Sequence, residues 1–446
     1  MTPSPWPAPH VSKPVDADVT IPGSKSLTNR ELVLSALASG TSTLSGALHA
    51  RDTNLMIDAL RQLGADIETG VDNWKICKIP RIPGSNPVTI ECGLAGTVMR
   101  FIPAVAALQS RKVRFIADEQ ANSRPVKPLY RALRSMGVDF EYEGEAQYPV
   151  VIQGPATTSG PIKLDSSGSS QFLSALLLVA PLLPGNGEFV EIELTGSLPS
   201  KPHIEMTIAS LRSRDVEVEW MSNTSLRVKR GGIAPRDKVI EPDLSNAGPF
   251  LAAAVVTQGR VHVPYWPLET TQAGDAWQWI LRQMGQEVSL VPNGTQYGTL
   301  CVRGNEIKGF EGDMSQVGEL VPTLAALCAF AATPSKITNI GHLRGHETDR
   351  LSAIATELRK LGVGVNEGED FLEIDPTNGW QDKLRERNEP VELHSYHDHR
   401  MATFGAIIGL GVPEILVDDI ETVSKTMPDF VDRWNQMLAG SLNGEA

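Results

Sequence analysis

The chain has 446 residues, 41% of them hydrophobic and 21% charged, with four cysteines and a net charge of −13. Such a length exceeds one ordinary core and suits two domains of about 200 residues each, and the composition excludes a disordered chain. The acid excess excludes nucleic acid and anionic membrane as partners of the whole surface, so an anionic substrate requires a local cationic pocket.

The first twenty residues are proline-rich and lack an apolar core, which predicts no secretory leader. At Ser24 the stretch GSKSLTNRELVLSALASG places a polar, glycine-flanked start before a helix of small and apolar residues. The same grammar returns at Gly96 (GLAGTVMRFIPAVAAL), Ser169 (SGSSQFLSALLLVAPLL), Asn246 (LSNAGPFLAAAVVTQG), Glu319 (VGELVPTLAALCAFAA) and His399 (HRMATFGAIIGLG). The spacings are 72, 73, 77, 73 and 80 residues, so six units nearly fill the chain. Between these starts lie helices of a second kind: TNLMIDALRQLGADIE, PVKPLYRALRSMGVDFE, HIEMTIASLRSRDVEVE, DAWQWILRQMGQEVS and TDRLSAIATELRKLGVGV. Their apolar residues recur at three and four, and most end near a glycine before an alternating strand. The predicted unit is strand, buried helix, strand, amphipathic helix, strand, strand, and the sixth is truncated after PDFVDRWNQMLAG. The longest apolar run, FLSALLLVAPLL, falls short of the roughly 20 residues a membrane span needs. Cys77, Cys92, Cys301 and Cys328 form no C-x-x-C pair, which speaks against a structural zinc and a disulfide framework. A soluble cytoplasmic protein is expected.

A helix that is apolar nearly all round is surrounded by protein, yet its N-terminus keeps unpaired N–H groups and a partial positive charge. Ser, Thr, Gly and Asn at any one start are explained by capping alone. Six such starts that alternate with Lys25, Arg30, Arg100, His399 and Arg400 are the composition of an anion site. The crowded HSYHDHR before the last buried helix also admits a metal reading, with His397 and His399 two apart on one strand face. A zinc ion would need further ligands that the sequence does not offer, and no metal is expected.

Taken together, PGSKSLTNR, GLAGTVMR, SRPVKPL, SSQFLSALL, HETDRL, DHRMA and SKTMPDF resemble the 5-enolpyruvylshikimate-3-phosphate (EPSP) synthase family, in order, over nearly the whole chain. The resemblance implies the two-domain inside-out α/β barrel of the enolpyruvyl transferases, with six βαβαββ repeats, three per domain. One domain would span residues 22–241 and the other 1–21 plus 242–446, with the active site in the cleft between them. The implied reaction transfers the enolpyruvyl group of phosphoenolpyruvate to the 5-hydroxyl of shikimate 3-phosphate and releases phosphate. It needs neither metal nor organic cofactor, and the enzyme would be a monomer with no nucleic-acid or membrane partner.

By the same resemblance, Lys25 reaches both substrates and Ser26 and Arg30 bind shikimate phosphate. Ser169 and Ser170 hold the 3-phosphate, Gln171 lies against both ligands, and Ser200 and His346 add shikimate contacts. Gly96, Arg124, Arg350, Arg400 and Lys425 clamp phosphoenolpyruvate, Glu347 protonates carbon and Glu319 is the base towards the 5-hydroxyl. Asp398 caps a helix and orients, with His399 beside Arg400. Glu347, Asp349 and Arg350 also read as the polar start of a helix, and Glu319 as the start of another. The chain departs from the family pattern at Leu94, where many members carry asparagine, at Glu319 (aspartate), at His342 and His346 (asparagine and lysine) and at His203 (tyrosine). Histidine titrates near 6.5 where lysine is a fixed charge, so shikimate binding is expected to weaken at high pH. The rival readings are UDP-N-acetylglucosamine enolpyruvyl transfer, whose family carries a loop cysteine that IADEQAN lacks here, and a non-catalytic phosphosugar-binding protein.

Overall fold

A computed structural model describes residues 4–79, 86–387 and 389–439. The chain divides into two compact units, Gly23–Ile240 and Met1–Pro22 with Glu241–Ala446.

The unit Gly23–Ile240 contains three buried helices, Lys25–Leu37, Gly96–Ala106 and Gln171–Val179. Their apolar, small-residue sequences leave no polar face, and every residue of Gly96–Ala106 is buried. The second and third buried helices each join two parallel strands of one four-stranded sheet, Val88–Glu91 to Lys112–Ile116 and Ile162–Asp165 to Phe189–Thr195. An amphipathic helix then leads into a hairpin that completes the sheet: Lys127–Ser135, followed by Asp139–Tyr142 and Val150–Gln153. Arg51–Gln62 and Lys201–Arg212 play the same part in the other two repeats. Alternation along the strands sets one sheet face on the helices and the other in solvent, so the helices lie inside. The first sheet takes its first strand from the end of the unit, where Lys238–Val239 pairs in parallel with Ser42–Ser45. Arg214, fully buried, closes the same seam. Its Nη2 and Nε donate to Glu31 Oε2 at 2.7 and 3.2 Å, and Ser35, Ser42 and the Ala234 carbonyl accept from the rest of the guanidinium.

The second unit repeats the plan with buried helices Gly248–Val256, Val321–Cys328 and His399–Gly411. Two of its sheets have four strands and the third has three. The N-terminal segment belongs here because it supplies strands: Asp16–Asp18 lies parallel to Arg260–Pro267, and Trp6–Pro7 lies antiparallel to Ile415–Val417. The outer helices are Trp277–Gln283, Arg350–Leu361 and Phe430–Leu438, and a further helix, Trp380–Arg387, was not expected from the sequence. The expected helix start at Glu347 moves to Arg350, because Asp349 is the residue whose side chain accepts the cap bond, from Ser352 N. The six-repeat α/β architecture with helices inside is thus present in both units. The four cysteines are free thiols. No helix among the described residues is long and apolar enough to cross a membrane.

Candidate active site

In the unit Gly23–Ile240 the first turns of the buried helices are tied to one another. Asn29 donates to Thr97 at 2.7 Å, and Arg100 Nη1 donates to the Gln171 side-chain oxygen at 2.8 Å. Gly96, Ser169, Ser170 and Gln171 therefore stand beside one another at helix starts, where backbone N–H groups favour an anion. The Ser169 hydroxyl accepts from Gln171 N, and Ser170 is buried. Lys25 is held by Asp52, which is 2% exposed, at 3.2 Å. Arg124 donates from Nη1 to the Leu94 carbonyl at 2.6 Å and is 8% exposed. The backbone oxygen makes that contact, so leucine in place of asparagine does not alter it.

Arg30 is buried. It donates to Thr207, Ser174 and the carbonyls of Ser26 and His203, and its guanidinium lies over the Phe101 ring. It braces the Ser26 backbone and links the first helix to the third repeat. Ser200 precedes the helix Lys201–Arg212 with φ 53°, in the left-handed region.

The second unit gathers Glu319, His346, Glu347, Arg350, Arg400 and Lys425. Arg350, 2% exposed, is fixed by Asp398, which accepts from its Nε at 2.7 Å and its Nη2 at 3.1 Å. Its Nη1 faces His346 Nδ1 at 3.2 Å. Asp398 also caps the helix His399–Gly411 through Arg400 N. Glu347, 12% exposed, lies between Lys425 at 2.7 Å and His399 Nδ1 at 3.0 Å. Burial alone would raise its pKa, but Lys425, then His399 and Arg350, hold the carboxyl well below its ordinary value. Burial pushes the His399 imidazole below 6.5 against the pull of Glu347, so the neutral tautomer that donates from Nδ1 fits the contact. Burial, and then Arg350, lower the pKa of Arg400, whose guanidinium has no hydrogen-bond or ion-pair partner among the described residues. A bound anion would relieve that repulsion. Glu319, in the single turn Gly318–Leu320 that leads into Val321–Cys328, accepts from the Ser245 hydroxyl at 3.2 Å. His342 packs on Gly318 with its Nε2 buried and unpartnered, and burial lowers its pKa.

The strand face that a metal reading would require of His397 and His399 is absent, and Asp398 between them caps a helix instead. His397 is exposed with φ 55°, and His399 opens a helix. The structure instead brings Glu347, Asp398 and His399 together, with one donor atom from each within 4.8 Å of the others. These donors are poor metal ligands here. Asp398 is spent on Arg350, Glu347 on Lys425, and three fixed cations would repel a divalent ion. Asp52, the bond from Arg100 to Gln171 and the bond from His399 to Glu347 are additions that no local sequence signal supplied, since each partner lies 27 to 71 residues away.

The helix-lined, sheet-covered repeats match solved enolpyruvyl transferases. An EPSP synthase from Acinetobacter baumannii superposes with a TM-score of 0.78 at 22% identity over 98% of both chains. The enolpyruvyl transferase NikO from Streptomyces tendae superposes with a TM-score of 0.72 at 16% identity over 97% of both. The fold is therefore that of the enolpyruvyl transferases. In sequence, the pattern of EPSP synthase (3-phosphoshikimate 1-carboxyvinyltransferase) matches residues 9–434. A 3-phosphoshikimate 1-carboxyvinyltransferase from Kocuria rhizophila is 46% identical over 448 residues, covering 97% of this chain and 96% of that protein. The chain belongs to the EPSP synthase family.

Proposed function

We propose that the protein transfers the enolpyruvyl group of phosphoenolpyruvate to the 5-hydroxyl of shikimate 3-phosphate and releases phosphate, with residues of both units serving one reaction. The observation that carries this reading is Glu347 held between Lys425 and His399 beside the pinned Arg350. It is a carboxyl set among cations where an anionic substrate would bind.

Lys25, Ser26, Arg30, Ser169, Ser170, Gln171, Ser200, Glu319 and His346 serve shikimate 3-phosphate. Lys25, Gly96, Arg124, Gln171, Arg350, Arg400 and Lys425 serve phosphoenolpyruvate. Glu347 rests ionised, since its neighbours hold its pKa down. A phosphoenolpyruvate anion that engages Lys425 and Arg350 offsets those charges and raises the Glu347 pKa, which lets it carry a proton to the methylene carbon. Glu319 takes the 5-hydroxyl proton. Elimination then returns a proton from the methyl group as phosphate leaves. Lys25, Arg124 and Arg400 stabilise charge on the departing phosphate. The reading includes no metal and no organic cofactor, and a monomer working in the cytoplasm with neither nucleic acid nor membrane as partner.

The 46% identical relative favours this acceptor over a nucleotide sugar. Phosphate release is measured with phosphoenolpyruvate and either shikimate 3-phosphate or UDP-N-acetylglucosamine. Release is expected with the first acceptor, and release with the nucleotide sugar alone would overturn the reading.

A further inference from the structure

Glu357 is a carboxylate with no exposure at all, on the helix Arg350–Leu361, and the proposed reaction does not use it. It lies seven residues after Arg350, so the two share a helix face about 10 Å apart. Both reach the same loop. Arg350 holds Asp398, while Glu357 accepts from the Tyr396 hydroxyl at 2.5 Å and from His394 N at 3.2 Å. Lys360 meets the remaining charge at 2.7 Å. Asp418 fixes the start of the loop by accepting from Ser395 N at 2.7 Å.

Between that anchor and Asp398 stand Tyr396 and His397, with φ of 53° and 55°. Left-handed backbone at two successive non-glycine residues persists only where the surroundings hold it. His397 points to solvent, and among the described residues the Tyr396 hydroxyl is the side-chain bond that pins this pair.

We propose that Glu357 and Tyr396 are positioning residues for phosphoenolpyruvate, acting through Asp398 and the helix start at His399. The inference rests on the proposed reaction. Their bond holds the strained turn, the turn sets Asp398, and Asp398 sets the Arg350 guanidinium and the first turn that presents His399 and Arg400.

The test is Tyr396→Phe, which keeps the ring and deletes one oxygen. The KM for phosphoenolpyruvate is expected to rise about tenfold while the KM for shikimate 3-phosphate stays within about twofold, because the displaced groups are those of the phosphoenolpyruvate clamp. Glu357→Gln, which keeps an acceptor oxygen, should fall between wild type and Tyr396→Phe. The double variant should be no worse than Tyr396→Phe, as residues acting through one bond require. A second readout needs no turnover: proton exchange at the Arg350 Nε–H, followed by NMR, should quicken in Tyr396→Phe. Wild-type values for both KM and exchange in Tyr396→Phe would overturn the inference, and so would an equal rise in the two KM values. Absence of phosphate release by the wild type would instead strike the proposed reaction, and the exchange measurement would still decide the clamp.

Discussion

Gly96→Ala gives the sharpest test of how the phosphoenolpyruvate side is built. A β-carbon at Gly96 would lie 2.8 Å from Arg124 Nη2 and 2.9 Å from Arg100 Nη1. Ordinary contact begins near 3.5 Å, so each guanidinium must retreat by about 0.6 Å or more. Neither is free to do so cheaply. Arg124 is 8% exposed and bonded to the Leu94 carbonyl at 2.6 Å, and Arg100 is bonded to Gln171 and the Pro125 carbonyl. A retreat of that size takes the Leu94 bond towards the long end of the hydrogen-bond range, about 3.2 Å, and turns the guanidinium away from a substrate carboxylate or phosphate. Losing part of a charge-assisted bond worth about 1.5–3 kcal/mol predicts a rise of roughly five- to fiftyfold in the KM for phosphoenolpyruvate. The helix should not suffer, since alanine is the better helix residue by up to about 1 kcal/mol. Glyphosate competes with phosphoenolpyruvate in this family, so its inhibition should be relieved as well. Phosphate release against varied phosphoenolpyruvate, with and without glyphosate, reads both effects. Inhibition as strong in Gly96→Ala as in the wild type, with an unchanged KM, would refute the steric reasoning.

Three further outcomes are expected. Glu347→Gln should abolish turnover and leave shikimate 3-phosphate binding nearly intact, whereas Glu319→Gln should slow turnover and weaken that binding; turnover assays and titration calorimetry separate the two, and near-normal turnover in Glu347→Gln sinks the proton-donor assignment. His342 and His399 both have pKa values lowered from 6.5 by burial, so the unfolded chain takes up protons first as the pH falls below 6.5. Stability should therefore be fully present above that pH and decline below it, and urea midpoints across the pH 7 to 5 range should flatten in His342→Asn; an identical decline in the variant would count against this account. Arg214→Ala strands the buried Glu31 carboxylate and should cost about 3–5 kcal/mol in urea unfolding, a loss that an unchanged midpoint would disprove.

What the sequence made legible was whatever is local. Lys25–Leu37, Gly96–Ala106 and His399–Gly411 follow their polar starts and their small apolar runs, because capping and burial act within one helix. The amphipathic helices followed from periodicity, although Trp380–Arg387 escaped because it is short and polar, with only Trp380 and Leu384 to mark its buried face. The pairings that shape the candidate site did not show. Lys25 finds Asp52, Arg350 finds Asp398, and Glu347 finds His399 across 27, 48 and 52 residues, and no spacing rule links them. The same gap placed the helix start three residues early at Glu347, since competition with Asp349 for the cap is decided by backbone geometry. It also left open a common strand face for His397 and His399, which the left-handed backbone at Tyr396 and His397 rules out.

The strands Trp6–Pro7 and Asp16–Asp18 find their partners only at Ile415–Val417 and Arg260–Pro267. At ribosomal rates of about 5–20 residues per second, the first of these strands waits on the order of 20–80 s for its partner to be made. The whole of Gly23–Ile240 is synthesised and can fold in that interval, nested inside a loop not yet closed. Closing that loop around a compact body costs less chain entropy than closing it around a free coil of the same length. The nascent chain nevertheless carries two unpaired strands until Arg260–Pro267 is made and one until Ile415–Val417 follows, which makes the N-terminal segment the place where a chaperone, or a neighbouring nascent chain, would intervene.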